Sequence, residues 1–141
     1  MRPSHVEKDF GFSLGADRVR GRFDRVDEDL LGATIIDYKT GEVAKQSIAD
    51  RRTAKSLQLQ MYALAWREMT GTLPQRVELR FIESNLVGRH APDENDVGEA
   101  TEAVKAAAVG IRARRFEATP SYTACRYCAY NQICPFTATR E

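Results

Sequence analysis

The sequence predicts a small α+β domain that carries a cysteine-rich tail. Three observations lead there. Several short segments place apolar residues at every second position, as a β-strand with one buried face does. Two longer segments place them at helical spacing. All three cysteines, Cys125, Cys128 and Cys134, fall close together near the end of a chain of 141 residues.

The elements follow in order. From His5 to Leu14 the apolar residues Val6, Phe10, Phe12 and Leu14 alternate with polar ones, Lys8 being the exception, and this predicts a first strand. Gly15-Ala16-Asp17 is a turn signal, and Arg18 to Asp27 alternates loosely as a second strand. Asp27-Glu28-Asp29 with Gly32 predicts a turn into Ala33–Lys39, a β-branched and aromatic third strand. Short turns between the three predict an antiparallel meander. Residues 42 to 52 are polar and read as a mobile connection. Residues 53 to 70, rich in Ala, Leu, Gln and Met, predict a helix stopped by Gly71 with Pro74 beyond it. Its apolar positions Leu57, Leu59, Met61, Tyr62, Leu64 and Trp66 surround much of the axis, so it is expected to be largely buried. Strict alternation of Val77, Leu79 and Phe81 predicts a strand over 76–83, and Ser84-Asn85 turns it into a short return strand near 87–91. Pro92 to Asp96 offers capping side chains and acids suited to a helix start, with a helix running to about Arg115.

Composition excludes several classes. Hydrophobic residues make up 43% and charged residues 29%, an ordinary globular balance rather than a disordered or fibrous one. The longest apolar run, Met61–Trp66, is far short of the ~20 residues needed to cross a bilayer. Met1 is followed by no apolar stretch of a secretory signal, so no membrane partner is expected and the localisation read from the sequence is cytoplasmic. A net charge of +1 gives no global basic field, so any contact with DNA is expected to be local.

The chemistry-bearing residues sit on the second and third strands. Asp37 and Lys39 are two apart and share a strand face. If the two strands pair around their turn, Asp24 lies beside them, and two carboxylates on neighbouring strands can hold a hard divalent cation such as Mg2+. An adjacent ammonium can orient a water and offset charge building on a phosphate. Charges alternating along a strand are more often a solvated face, but Ile35 and Ile36 put this carboxylate at the end of an apolar run, where it needs a cationic partner. Arg22 and Arg25 read either as surface charges or as phosphate contacts. Asp27 reads as a turn residue rather than a third ligand.

The motifs Gly21-Arg-Phe-Asp24-Arg-Val-Asp27, Ile35-Ile-Asp37-Tyr38-Lys39-Thr-Gly41 and Gln58-Leu-Gln-Met-Tyr62, in that order, resemble the RecB-type branch of the PD-(D/E)xK nucleases. That branch includes nuclease domains of AddAB- and AdnAB-like helicase–nucleases and iron–sulfur CRISPR-associated exonucleases. The resemblance spans about residues 5 to 136 and implies a restriction-endonuclease-like mixed central sheet flanked by helices. It implies Asp24 and Asp37 as Mg2+ or Mn2+ ligands, the Tyr38 carbonyl as a further ligand, and Lys39 as the motif lysine. Gln58 and Tyr62, one helical turn apart, match a family signature that faces the active site and DNA; standing alone they would read as an amphipathic pair. The implied function is a metal-dependent DNA exonuclease working with a helicase or ATPase domain or subunit. The alternative is a non-catalytic DNA-binding or structural module on the same scaffold.

Cys125-x2-Cys128-x5-Cys134 is spaced as metal ligands are, against the alternative of three unrelated thiols. In the iron–sulfur members such cysteines hold a [4Fe–4S] cluster together with one far upstream. No cysteine precedes Cys125 here, and no helix with a His or Glu precedes the first strand. The expectation is therefore a C-terminal portion of a longer protein with an incomplete cluster site, on which Zn2+ is a possible substitute. A zinc-binding adaptor built on the tail alone leaves the strand motifs unexplained. The expected division is a nuclease core over 1–118 and a cysteine tail over 119–141.

Overall fold

The computed structural model describes residues 3–140. Five strands form one sheet in the order β1-β2-β3-β4-β5: β1 (His5–Leu14), β2 (Asp17–Asp29), β3 (Gly32–Lys39), β4 (Arg76–Phe81) and β5 (Leu86–His90). The expected meander is present, with β1–β2 and β2–β3 antiparallel. β4 then joins β3 in parallel and β5 returns antiparallel to it, so the sheet is mixed. Parallel neighbours need a long crossover, and two helices supply it: α1 (Gln46–Ala54) and α2 (Leu57–Thr70). α3 (Glu94–Arg112) and the short α4 (Tyr122–Arg126) follow.

The structure corrects the reading of 42–52 as a mobile connection, because Gln46–Ala54 is helical. The signal was weak for a physical reason. The helix buries only Ala49 and Thr53, one turn apart, and so lacks the large apolar stripe that marks a helix in sequence. Its stability comes from close approach to β5. A Cβ on Gly88 would stand 2.0 Å from the Thr53 hydroxyl and 2.3 Å from the Ala49 carbonyl oxygen, so only glycine lets the helix lie this low. The expected single helix over 53–70 is thus two. Ser56 caps α2, its hydroxyl accepting the Leu59 N–H at 3.3 Å. Gly71 ends it in the left-handed region at φ 85°, as its position predicted. Leu57, counted among the buried residues, is instead about half exposed on the first turn.

Smaller differences concern boundaries and burial. β4 stops at Phe81, and Asp27 lies within β2 rather than in a turn. α3 ends at Arg112 and buries only Asp96, Val97 and Ala100, while Ile111 is exposed. Its start is a reciprocal cap in which Asp93 accepts the Asp96 N–H and Asp96 accepts the Asp93 N–H. The described residues up to Ala106 form one compact unit and those from Ala107 a second.

The core of the first unit lies on one face of the sheet. Phe10, Phe12, Phe23, Val26, Ile35, Val77, Leu79 and Phe81 meet Leu59, Tyr62, Leu64 and Trp66 of α2 there. The register places Ile36, with Thr34 and Tyr38, on the reverse face; Ile36 is fully buried yet stands outside that cluster.

Candidate active site

Asp37 and Lys39 occupy the C-terminal end of β3, on the core face and beneath the start of α2. Strand alternation puts them with Ile35 on the face that packs against the helix. Asp37 is only 2% exposed. The Lys39 ammonium lies 2.7 Å from Asp37 Oδ2 and donates a 2.7 Å hydrogen bond to Gln58 Oε1. Gln58 Nε2 donates in turn to the Tyr62 hydroxyl at 3.0 Å. The four side chains form one connected run from strand to helix, so the lysine is held from both sides.

Asp24 joins them through a break in β2. Phe23 and Val26 are both fully buried although three residues apart, so strict alternation fails between them. At the same place the β1–β2 ladder passes from Val6–Arg25 to Lys8–Phe23, omitting Glu7 and Asp24, and Glu7 has φ 49°. The β2–β3 ladder begins at Arg25–Ile36, one step short of setting Asp24 against Asp37. Released from the ladder, the Asp24 carboxylate turns to β3 and accepts the Tyr38 N–H at 3.1 Å. The loose alternation of β2 is the local signature of this break.

Electrostatics make the pair unusual. Burial pushes the Asp37 carboxyl above its ordinary range; the Lys39 ammonium pulls it back, and the Asp24 charge pushes it further up. Asp37 Oδ2 has no hydrogen-bond partner despite being buried. Its close partner is the Lys39 ammonium at 2.7 Å, so what it lacks is a second donor and not a counter-charge. Tyr62 is likewise raised, first by burial, then by the charges of Asp37 and Asp24, while its bond with Gln58 opposes the shift. All these groups feel one another.

A hard divalent cation fits this donor set. Asp24 and Asp37 offer only oxygens, one of them buried without a hydrogen-bonded partner, and Mg2+ is commonly held by one or two carboxylates completed by water and substrate phosphate. Among the described residues no three His, Cys, Asp or Glu side chains converge to hold a metal ion. Tyr38 is anchored by its amide to Asp24, and its hydroxyl accepts from Arg25 at 3.4 Å.

Arg22 and Arg25 are engaged with protein. Arg22 pairs with Asp9 at 2.7 Å. Arg25 grips both oxygens of Asp27, at 2.8 and 2.7 Å, which holds its guanidinium above its ordinary range. Asp27 is thereby a partner of Arg25, away from the proposed ligands. The structure also brings forward residues the sequence reading missed. A depression of about 460 Å³ beside Lys39 and Gln58 is lined by Arg51, Arg52, Lys55 and Ser56. The Arg52 guanidinium sits 5.0 Å over the Phe81 ring. The sequence signal was a run of basic residues just upstream of Gln58; Arg51 and Arg52 were hidden by reading 42–52 as a connection, and Lys55, inside the expected helix, by the absence of any pattern that ties it to the site.

In the second unit Cys125, Cys128 and Cys134 are free thiols lining one depression of about 210 Å³ with Pro120 and Phe136. The Ala138 N–H donates to Cys125 Sγ at 3.4 Å and draws that thiol below its ordinary range. The three do not converge as a ready set of metal ligands, so as they stand they do not fit a closed cluster or zinc site.

Comparison with known proteins follows this geometry. A search of curated proteins found no significant match. Among solved structures, the crystal structure of SSO0001 aligns with a TM-score of 0.59 at 16% identity, covering 96% of this chain and 61% of that one. At that identity the likeness is one of fold, and it agrees with the mixed sheet flanked by helices. The chain spans about three fifths of that protein's length. The family model of the PD-(D/E)XK nuclease superfamily matches residues 1–135, which takes in both acidic motif strands, the lysine and the Gln58–Tyr62 helix. The chain therefore belongs to the PD-(D/E)XK nuclease superfamily.

Proposed function

We propose that the domain is a divalent-metal-dependent nuclease that hydrolyses phosphodiester bonds of DNA, acting as the exonuclease of a RecB-type helicase–nuclease in repair or recombination. The observation that carries this reading is the convergence of Asp24, Asp37, Lys39, Gln58 and Tyr62 from two strands and a helix, with the buried Asp37 carboxylate 2.7 Å from the Lys39 ammonium and under the charge of Asp24.

Asp24 and Asp37, with the Tyr38 carbonyl, would hold Mg2+ or Mn2+. Bound there, the cation would polarise a phosphoryl oxygen and lower the pKa of an attacking water. The remaining work falls to the chain itself. Lys39, fixed between Asp37 and Gln58, orients the water and offsets charge that grows on the phosphate. Gln58 positions that ammonium, and Tyr62 holds Gln58 in turn. Arg51, Arg52 and Lys55, in the adjoining depression, suit the phosphates flanking the scissile one. The test is cleavage of labelled DNA in Mg2+ or Mn2+ by the wild type and by Lys39→Ala. Loss of roughly 10²–10³-fold or more is expected, with circular dichroism confirming the fold. Cleavage retained at the wild-type rate would refute the assignment of Lys39.

A second reading, a DNA-binding module that does not cut, is favoured by one observation: among the described residues no third acid, His or Cys joins Asp24 and Asp37. Mn2+ titration separates the two, because an active site loses metal affinity in Asp24→Asn and in Asp37→Asn whereas a binding module is indifferent.

The same reading keeps residues 1–118 as the nuclease core and 119–141 as a cysteine tail that would take a [4Fe–4S] cluster or Zn2+ once the three thiols draw together and a further ligand joins them. What supports it is the C-x2-C-x5-C spacing and the shared depression of the three thiols. Visible charge-transfer absorption after anaerobic purification, lost in Cys128→Ser, is the expected result.

A further inference from the structure

The reverse face of the sheet carries an arginine surface for which the cleavage site has no use. Strand alternation and register place Arg18, Arg20, Arg22 and Arg25 of β2, Arg76 and Arg80 of β4, and Arg89 of β5 on the face opposite the core. The exposure pattern agrees: Arg18, Arg20, Arg22, Arg76 and Arg89 are exposed, while Phe23, Val77 and Leu79 on the other side are buried. The carboxylates on this face are fewer. Asp9 pairs with Arg22, which also feels the charge of Glu7, and Asp27 pairs with Arg25. Asp29 turns to the Leu31 and Gly32 N–H groups. Glu78, 3% exposed, is shared by Arg76, Arg80 and Arg89 at 3.2, 3.0 and 3.4 Å. One carboxylate among three guanidiniums leaves positive charge over. The chain's net charge of +1 therefore conceals a face where guanidiniums outnumber carboxylates.

We propose that this arginine face binds the phosphate backbone of a nucleic-acid strand, as a second site on the side of the sheet opposite Asp24 and Asp37. Guanidiniums present planar, paired donors that match phosphate oxygens, and every cation named on this face is an arginine. Arg18, Arg20 and Arg22 stand on alternate positions of one strand, on the order of 7 Å apart, a linear row suited to a linear polyanion. Beside them is a depression of about 610 Å³ lined by Asp9, Gly11, Arg18, Arg20 and Arg22. At Gly11 the floor carries no side chain, and the Arg18 guanidinium lies over it, 3.0 Å from where a Cβ would stand. An acidic protein partner is the less suited occupant. Protein interfaces centre on exposed apolar residues, and here Ile36 is fully covered while Tyr38, 40% exposed, has its hydroxyl tied to Arg25.

The site goes beyond the nuclease reading and is tested apart from it. Fluorescence anisotropy with a labelled single-stranded DNA oligonucleotide, in EDTA so that nothing is cut, compares the full chain with Arg18→Gln/Arg20→Gln/Arg89→Gln. These side chains are exposed, and Glu78 keeps Arg76 and Arg80, so the fold is expected to survive, as a thermal melt would verify. Affinity is expected to fall roughly tenfold or more, and the slope of log K against log salt to drop by about 2, since each lost phosphate contact on a single strand contributes ~0.7. In a Lys39→Ala background, which fails to cut, the same triple substitution is expected to lower affinity and slope by the same amounts, which keeps the fate of this face separate from that of the cleavage assignment. Unchanged affinity and slope in the triple variant, with binding lost instead in Arg51→Gln/Lys55→Gln, would overturn the second site. So would polyglutamate competing as well as unlabelled DNA at equal charge, an outcome that assigns the face to an acidic peptide.

Discussion

Asp37 and Glu78 are buried to the same degree on neighbouring strands, yet the two faces of the sheet treat them in opposite ways. Asp37 has one ammonium, a second carboxylate nearby, and an oxygen with no hydrogen bond. Glu78 has three guanidiniums, and Arg80 donates two hydrogen bonds to one of its oxygens at 3.1 and 3.0 Å. A buried carboxylate with surplus cations is a structural charge. A buried carboxylate short of cations is held at a cost to the fold, which is what a site built to receive a cation looks like. The difference teaches that burial alone does not mark the functional acid; its unmet demand for positive charge does.

The largest expected effect breaks the Asp37 side outright: Lys39→Ala loses cleavage by the factor given above. It also removes the one cation beside a buried acid, so a melting temperature lowered by the equivalent of about 1–2 kcal/mol is expected once solvent screening of the part-exposed lysine is allowed for. On the Glu78 side the effect is stability alone. Glu78→Ala leaves three guanidiniums facing one another, and chemical denaturation should show a loss of roughly 2–3 kcal/mol, with the cleavage rate per folded molecule unchanged.

Asp37→Asn sharpens the contrast because its two effects have opposite signs. The proton affinity of Asp37 is raised by folding, so between the unfolded and folded values the native state binds more protons, and stability falls as pH rises through that window. Above it the ionised form carries the full cost. The neutral amide should therefore raise the melting temperature by a few degrees at neutral pH while Mn2+ binding and cleavage are lost. A lowered melting temperature would show that attraction to Lys39 outweighs the burial cost.

Asp96 supplies the smallest effect and the opposite pH dependence. Burial works against its charge, but bonds with His90, the Asp93 N–H and Gln60 prevail and leave its carboxyl below the ordinary range. Its contribution is present above the usual carboxylate range and is lost as pH falls through the lowered folded value. Melts of wild type and Asp96→Asn should differ by about 1 kcal/mol near neutral pH and converge in acid.

Much of the helix-covered face was legible in the sequence. Ile35, Asp37 and Lys39 share a strand face by alternation alone, and Gln58 and Tyr62 share a helix face by spacing alone. Alternation also puts Arg18, Arg20 and Arg22 together within β2, yet their role on a wider face depended on knowing that β4 and β5 add Arg76, Arg80 and Arg89 to the same side. α1 escaped notice because its packing surface is an alanine and a threonine, which carry little periodic signal. With it went Arg51 and Arg52, and Lys55 just beyond its end had no local mark, since the value of all three depends on where the helix sits beside Lys39.

The sequence by itself determined which residues stand on each side of a strand or helix, because side-chain direction follows from backbone period over a few residues. It thereby fixed the acid, the lysine and the glutamine–tyrosine pair as local units. Tertiary structure alone decided that Asp24 leaves its ladder to reach Tyr38, that the lysine is clasped between strand and helix, and that arginines from three strands make one surface. Those outcomes depend on strand order, register and a crossover between segments far apart in the chain, and no local period encodes them.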